Sequence, residues 1–280
     1  MAGLAERPVT RVGCSSPALC IRSPRSPPRR SRLATVTSVV TLADRPDLAE
    51  SVRTMPTGLP PFMLNDPMGW NFASLAALFP AYQLALLDDH DKVIGHGHSA
   101  PIPWDGTPAD LPDQGWDDVM GRAVRALVAP RPTTAVAAFQ IVVLPERRGQ
   151  GLSTLVVAAM RDNARLRGHT NLVAPVRPNG KDADPATSME EYALRIRGDG
   201  LPMDPWLRVH ARLGATIVKV CPASMAIAGS LEQWRAWTGL PFDHDGMITV
   251  PGALAPVHVS IAHDRAVYVE PNVWMRHRLG

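Results

Sequence analysis

The fold is decided by residues 134–168, which read TAVAAFQIVVLPERRGQGLSTLVVAAMRDNARLRG. Residues 134–144 are apolar on both faces apart from Gln140, a pattern typical of a strand inside a sheet. Five alternate residues are predicted to share one face of it: Ala135, Ala137, Phe139, Ile141 and Val143. Residues 152–167 repeat apolar side chains at helical spacing, and Gly168 is placed to end that helix. The stretch therefore predicts a central strand, a tight turn and an amphipathic helix.

The turn between this strand and helix has the features of an anion site. The first N–H groups of a helix have no partner within it, and the helix dipole adds partial positive charge there. Gly149 lets an anion approach the backbone, and Arg147 and Arg148 add charge-assisted contacts. No lysine is present for a Walker-type loop, and Ser153 and Thr154 follow where a dinucleotide fingerprint needs a third spaced glycine. An ordinary turn with exposed arginines remains the alternative.

Arg148-Gly149-Gln150-Gly151-Leu152-Ser153 resembles the coenzyme A signature of the GNAT acetyltransferase superfamily, Gln/Arg-x-x-Gly-x-Gly/Ala. Ser153 departs from the Gly or Ala of the last position but is small. The order of predicted elements over about residues 34–220 is also similar to the GNAT order. The resemblance implies an α+β (mixed α/β) fold, with a mixed, splayed β-sheet flanked by helices and a C-terminal extension from about residue 221.

The same resemblance implies where coenzyme A binds and what the chain does. Pyrophosphate would lie at Arg147, Arg148, Gly149, Gln150, Gly151, Leu152 and Ser153. Pantetheine would pair with the backbone of Phe139, Ile141 and Val143. The implied activity is acetyl transfer from acetyl-CoA, a cosubstrate, to an amine of a small molecule by direct attack, with no metal. The alternative is a GNAT-like domain that senses acyl-CoA without catalysis.

Two histidines are the candidate acid and base. Many GNAT members have a tyrosine four residues before a glycine in the late helix, and His210 stands there, before Gly214. The helix dipole would favour the charged form of His210, which makes it a candidate proton donor. His98 is the candidate base, and His96 shares its face of the strand. The alternative for these histidines is ordinary packing.

A long polar segment, residues 178–203, exceeds the usual length of a connection. In GNAT topology it would lie over the acceptor cleft. The candidate substrate-binding residues within it are therefore Tyr192, Arg195 and Arg197. The alternative is a solvated or partly helical insertion.

The chain's charge is concentrated at one end. Residues 1–33 contain seven arginines and one glutamate, so they carry +6 while the whole chain carries +3. This Arg-, Pro- and Ser-rich segment is predicted to be a disordered extension. The remainder, residues 34–280, is predicted to be the acyltransferase domain, and its net charge of about −3 argues against nucleic-acid binding.

The cysteine count and the hydropathy suggest a cytoplasmic protein. Three cysteines without a close pair predict neither a disulfide framework nor a zinc site, and no apolar run is long enough to span a bilayer. The expected partners are a small-molecule acceptor and coenzyme A, with neither nucleic acid nor a membrane among them, and a homodimer is allowed.

The remaining pattern predicts further elements around the central unit. The predicted strands are 34–42, 83–87, 93–101, 171–176, 215–220, 257–261 and 266–269. The predicted helices are 44–53, 70–79, 116–128, 205–213 and 230–238. Asp204 is placed to cap one of these helices, and Ser230 with Gln233 forms a capping-box pair at another.

Overall fold

The structure is a computed structural model that describes residues 36–69, 72 and 74–280. Residues 34–280 form one compact unit. The prediction for residues 1–33 lies outside the described residues, as does part of the helix predicted at 70–79. Among the helices in the described part of the chain, none is both long enough and apolar enough to cross a membrane.

The elements alternate between strands and helices through most of the chain. The strands are β1 (Val36–Thr41), β2 (Gln83–Asp88), β3 (Val93–Ile102), β4 (Ala135–Val143), β5 (Asn171–Val176), β6 (Thr216–Gly229), β7 (Gly246–Ile248), β8 (Val257–Ser260) and β9 (Arg265–Arg278). The helices are α1 (Ala49–Arg53), α2 (Leu75–Leu78), α3 (Gly115–Val128), α4 (Leu152–Leu166), α5 (Met189–Ala193), α6 (Pro205–Arg212) and α7 (Leu231–Thr238).

The described strands form one mixed sheet. Strands β1 to β4 are antiparallel neighbours, β4 pairs with β5 in parallel, and β5 pairs with β9 antiparallel. Strands β8 and β7 follow along one edge, and β6 also pairs with β9. The expected mixed sheet flanked by helices is therefore confirmed.

The last strand is longer than its pattern predicts and lies inside the sheet. β9 covers Arg265–Arg278, where the sequence predicts only residues 266–269, and it pairs with both β5 and β6. The sequence pattern does not reveal this length because it contains Pro271, and proline lacks the N–H that a strand inside a sheet needs. Residues 222–224 bulge out of β6 between Cys221 and Met225, opposite Pro271, which relieves that conflict. The segment after residue 221 thus completes the sheet.

A bulge in β4 corrects the predicted face of the central strand. His98 and Ser99 of β3 pair with Gln140 and Ala138, so Phe139 has no partner on β3. An extra residue reverses the side-chain alternation beyond it. Ala135, Ala137 and Phe139 consequently pack on the α3 side, while Ile141 and Val143 pack on the α4 side. The prediction that all five share one face is therefore wrong.

The predicted helix caps are confirmed. Asp204 accepts hydrogen bonds from the N–H groups of Trp206 and Leu207 at the start of α6. Ser230 and Gln233 form the expected reciprocal capping box at α7. These bonds satisfy N–H groups that a helix cannot satisfy internally.

Candidate active site

The sheet opens between β4 and β5. Their parallel pairing covers only Ala135 to Ala137 opposite Asn171 to Val173. Beyond that point the two strands separate, and Ile141 and Val143 of β4 are only half-buried. The carboxyl end of β4 leads directly into the turn before α4, so the gap and the start of that helix lie at one edge of the sheet. The splay that the GNAT resemblance implies is present.

The turn before α4 presents bare backbone. Gly149 and Gly151 have φ angles of 76° and 77°, a region that side chains disfavour. Gly151 is the N-cap of α4, and no side chain caps this end. Open space surrounds the position that a Cβ would take at either glycine. A pyrophosphate can therefore approach the first N–H groups of α4 and the positive end of its dipole.

The two arginines of the turn differ in position. Arg147 is 8% exposed, and its Nε donates to Oε1 of Gln150 at 3.2 Å, so it supports the turn from within. Arg148 is exposed, and its Nη2 would lie 2.8 Å from a Cβ built on Gly58. Arg148 thus reaches from the turn to the loop after α1, and its guanidinium is the more accessible of the two.

The other predicted coenzyme A residues lie at this same edge. Leu152 is buried and packs in the core, while Ser153 is half-buried in the first turn of α4. The carbonyl of Phe139 accepts a hydrogen bond from Nε1 of Trp116 at 3.2 Å. That bond holds the bulge of β4 against α3, so Ile141 and Val143 are the better candidates for pantetheine pairing.

His210 is not placed as a charged proton donor. It is 2% exposed, and its Nδ1 lies 3.0 Å from Nε2 of His277 on β9. Burial and the neighbouring His277 lower the pKa of His210 to about 3, so burial outweighs the helix dipole. His277 lies opposite Leu172, in the part of the sheet where β5 still pairs with β4. The expectation that the helix dipole keeps His210 charged is therefore wrong, because the residue is a neutral core histidine.

His98 is likewise held in the interior. Its Nδ1 lies 2.7 Å from Oε1 of Gln83, whose amide nitrogen donates to two carbonyls, so Nδ1 carries the proton. The ring of Phe72 packs against it at 5.0 Å, and His96 stacks at 4.6 Å on the same face, as the alternation predicts. Burial, aided by His96, lowers the pKa of His98 to about 3. So weak a base accepts a proton poorly at neutral pH, which argues against the assignment of His98 as the base.

The long segment 178–203 folds on itself. The hydroxyl of Tyr192 donates to Oδ2 of Asp204 at 3.1 Å, and the ring is buried, so this side chain is engaged within the protein. Arg195 forms ion pairs with Asp184 and Glu191 at 2.7 Å and 3.0 Å.

Arg197 pairs with Asp199 at 3.3 Å in the same segment. The guanidinium groups of Arg195 and Arg197 are therefore both engaged by acids of their own segment. Their substrate-binding role stays a prediction.

A cluster of three carboxylates at the open edge was not predicted. It consists of Asp66, from the loop after α1, Asp117, from the first turn of α3, and Glu270, from β9. Val176, the last residue of β5, pairs with Val273, so Glu270 extends past the carboxyl end of β5. That end is the one from which β4 has separated. Asp117 follows Trp116, whose indole donates to the bulge of β4. We name these three residues the carboxylate cluster.

Glu270 is fully bonded within the protein. It is 0% exposed, and its Oε2 accepts from Nε of Arg177 and from the hydroxyl of Tyr268, both at 2.9 Å. Its Oε1 accepts from Asn272 at 3.0 Å. Arg177 therefore neutralises Glu270, and a buried ion pair with these additional bonds is well satisfied.

Asp66 and Asp117 are not satisfied in this way. Oδ1 of Asp66 accepts from the N–H of Met68 at 2.7 Å, and Oδ2 of Asp117 accepts from that of Ala226 at 3.3 Å. The second oxygen of each is buried and has no hydrogen-bond partner among the described residues. Burial raises the pKa of Asp66 to about 6, and burial together with the charge of Asp66 raises that of Asp117 to about 7.

A sequence signal existed for only one member of the cluster. Glu270 is a lone charge in an apolar strand pattern, which is a reason to suspect a buried ion pair. Asp117 reads as an ordinary acid in a first helical turn, and Asp66 reads as part of a Pro-rich loop. Their burial depends on the bulge of β6 and the position of β9, which local pattern does not reveal.

The open sheet edge and the bare helix start define an acyltransferase of the GNAT kind. No protein-family model matches the chain. An arginine N-acetyltransferase from Aspergillus versicolor is 31% identical over 274 residues, which cover 86% of this chain and 93% of that protein. The chain therefore belongs to the GNAT superfamily and is an acyl-CoA-dependent N-acetyltransferase with acetyl-CoA as donor. The family, enzyme class and donor expected from the sequence are confirmed.

Solved structures agree on the fold. The loading GNATL domain of CurA from Lyngbya majuscula matches with a TM-score of 0.56 at 18% identity, over 86% of this chain and 97% of that one. The GNAT-like decarboxylase GphF, in complex with isobutyryl-CoA, matches with a TM-score of 0.54 at 17% identity, over 87% of this chain and 100% of that one. At such identities the likeness concerns architecture alone.

Proposed function

We propose that the chain acetylates a nitrogen of a small cationic molecule, and that arginine or an arginine-bearing compound is the acceptor. The observation that carries this proposal is the excess of negative charge at the open edge. Arg177 neutralises only one of the three carboxylates, which leaves Asp66 and Asp117 for a positively charged ligand. The arginine acceptor of the Aspergillus relative has the charge that this cluster requires.

The donor and acceptor sides converge on the same edge of the sheet. The thioester of acetyl-CoA supplies the acetyl group, and the turn at Gly149 and Gly151 holds the anionic end of that molecule through backbone N–H groups and Arg148. Held in this way, the two reactants meet in an effectively unimolecular step, which is worth several kcal/mol of barrier. An acceptor bound near Asp117 lies beside the bulge of β4 at the start of the gap.

The test is acetylation of arginine in the presence of acetyl-CoA, followed by mass spectrometry of the product and by release of free thiol. The wild type should release thiol only when acceptor is added, and the product should carry one acetyl group. Gly151→Glu should lose turnover, because it places a side chain and a negative charge in the open space before α4. Gly198→Ala, at a position with open space and no positive φ, is the matched control and should keep activity. Absence of acetylation for arginine and for a panel of other cationic amines would refute the proposal.

A further inference from the structure

Two carboxylates of the cluster, Asp66 and Asp117, each have an oxygen without a hydrogen-bond partner among the described residues, which indicates that a ligand binds there. Asp66 is 5% exposed, yet its Oδ2 has no hydrogen-bond partner among the described residues, and Oδ1 of Asp117 is in the same position. Leaving a charged oxygen buried without a partner costs several kcal/mol, so natural proteins rarely retain one without a reason. Within the described part of the chain, no group of side chains converges in a way that would hold a metal ion. An organic cation with N–H donors fits these oxygens.

The net charge of the carboxylate cluster matches a ligand that carries two positive charges. The groups that face Asp117 are Asp66, from the loop after α1, and Glu270, from β9. Arg177, at the end of β5, is already paired with Glu270. With both aspartates ionised the cluster has a net charge of −2. Two cationic groups on one acceptor would compensate that charge, and a single cation would leave half of it.

Asp66 and Asp117 lie at different depths in the cluster, which indicates that each contacts a different part of the acceptor. Asp117 adjoins Trp116, whose indole bonds the carbonyl of Phe139 where the sheet starts to open, and its side chain is half-buried. Asp66 is more deeply enclosed and is held by the N–H of Met68 in its own loop. Asp117 is therefore the carboxylate closer to the acetyl group, and Asp66 faces a more remote part of the acceptor.

We propose that Asp117 accepts the proton of the acceptor amine, and that Asp66 binds a second cationic group of the same molecule, so the enzyme selects dibasic acceptors. The assignment rests on the proposed function and adds to it the catalytic base and the reason for selectivity. For arginine, the α-amine is acetylated and the guanidinium lies at Asp66 in a charge-assisted hydrogen bond.

The chemical step is balanced as follows. The ammonium gives one proton to the carboxylate of Asp117, and the freed lone pair forms the C–N bond with the thioester carbonyl carbon. The C–S bond breaks and its electron pair leaves on sulfur. The second amine proton is lost as the amide forms, and the departing thiolate regains a proton, so the products are the amide and free coenzyme A. The net proton released passes to solvent.

The basicity of Asp117 indicates which nitrogen reacts. Its pKa of about 7 is much closer to that of an α-ammonium, which is about 8 in peptides and somewhat higher in a free amino acid, than to that of a guanidinium, so this transfer is only mildly unfavourable. A guanidinium, with a pKa of about 12.5 or more, would require a transfer against more than about five orders of magnitude. The guanidinium is therefore the group that is bound and the amine the group that is acetylated.

The experiment compares arginine with citrulline, which keeps the α-amine and replaces the guanidinium by a neutral group of similar shape. The wild type should acetylate arginine with a kcat/KM at least about tenfold higher, the value of one charged hydrogen bond. Asp66→Asn should raise KM for arginine by about tenfold or more, with little change in kcat, and should abolish the preference over citrulline. Fragmentation of the product should place the acetyl group on the α-nitrogen.

Asp117→Asn should lower kcat rather than change KM. A general base contributes about 10²–10⁴-fold, so kcat should fall by at least about a hundredfold while KM changes little. In the wild type, kcat/KM should rise with pH as Asp66 loses its proton near 6 and Asp117 loses its proton near 7, and the rise near 7 should vanish in the Asp117→Asn variant. Asp118→Asn is the matched control, because Asp118 is the next residue of α3 and pairs with Arg122 and Arg125 instead.

The outcomes distinguish a failure of the roles assigned to Asp66 and Asp117 from a failure of the proposed function. Equal kcat/KM for arginine and citrulline in the wild type, or an unchanged pH profile in a folded Asp117→Asn variant, would overturn the assignment and leave the proposed function standing. Acetylation on the guanidinium would also overturn it. No acetylation of any cationic amine by the wild type would overturn the proposed function and the assignment together. Circular dichroism of each variant verifies that it is folded.

Discussion

At the residue scale, burial decides which titratable groups can do chemistry. His98 and His210 have polar ring atoms in suggestive sequence positions, but burial holds both neutral. The same physical effect raises the pKa values of Asp66 and Asp117 into the range where a carboxylate can exchange a proton near neutral pH. Desolvation therefore acts in opposite directions on the two kinds of group: it keeps the predicted histidines neutral and makes the unpredicted aspartates more basic.

Asp117 should cost the fold stability in the absence of ligand. Its folded-state pKa, about 7, lies above the ordinary value of 3.8, so the folded state binds the proton more tightly than the unfolded state. Stability should therefore fall as pH rises from about 4 to about 7. We expect Asp117→Asn to raise Tm at pH 8 and to leave it nearly unchanged at pH 4, as measured by thermal unfolding. A lower Tm at pH 8 for this variant would mean that the carboxylate is stabilising and already paired.

At the element scale, two irregularities of the strands build the site. The bulge at Phe139 turns β4 so that the carbonyl of Phe139 accepts a hydrogen bond from the indole of Trp116. The bulge at residues 222–224 of β6 brings Ser224 under the first turn of α3. Oγ of Ser224 accepts from the N–H of Trp116 at 3.0 Å. Bulges of this kind commonly re-aim side chains next to active sites. Together they fix α3 and hence Asp117 against β6.

Gly115 tests the contact between α3 and β6. A Cβ at this position would clash with Oγ of Ser224 and lie 2.8 Å from its Cβ, and the φ of 34° at Gly115 is unfavourable for other residues. Gly115→Ala should therefore destabilise the protein by about 1–3 kcal/mol in urea unfolding and lower kcat more than it changes acetyl-CoA binding. Gly115→Ala combined with Ser224→Gly should recover part of the stability. An alanine variant as stable as the wild type would show that this contact is loose.

The elements also show what could be read from the sequence. Strand β5 has its predicted bounds, and β4, α4 and the capped helices α6 and α7 lie within two residues of prediction, because periodicity and capping are local signals. The glycine turn was predictable for the same reason. The faces of β4 beyond Phe139 and the burial of Asp66 depend on strand registers between distant segments, which local pattern does not contain.

At the scale of the whole molecule, the final strand joins the separate parts of the sheet. β9 pairs with β5, β6 and β8, and it contributes Glu270 to the carboxylate cluster. Because β9 pairs with three other strands, the sheet is incomplete without it, so the segment after residue 221 is part of the domain's folding unit. Trp274 and Met275, both fully buried, add the apolar contacts of that strand.

Truncations at the two ends of the chain should have different effects on folding and activity. Removal of residues 265–280 should abolish cooperative folding, because it exposes unpaired edges of β5, β6 and β8 and deletes buried side chains. Removal of residues 1–33, the Arg-, Pro- and Ser-rich segment whose composition predicts disorder, should leave Tm and turnover unchanged. Thermal unfolding and thiol release measure both effects. A shortened chain without β9 that still unfolds cooperatively would contradict this account of the sheet.

We propose that acetyl-CoA binds in the gap between β4 and β5 with its phosphates at the start of α4. Hydrogen–deuterium exchange of the wild type, with and without acetyl-CoA, tests it most directly. We expect acetyl-CoA to slow exchange in peptides that cover residues 141–154, at the free edge of β4 and the bare N–H groups of α4. Unchanged exchange there, with protection in another part of the chain, would contradict it.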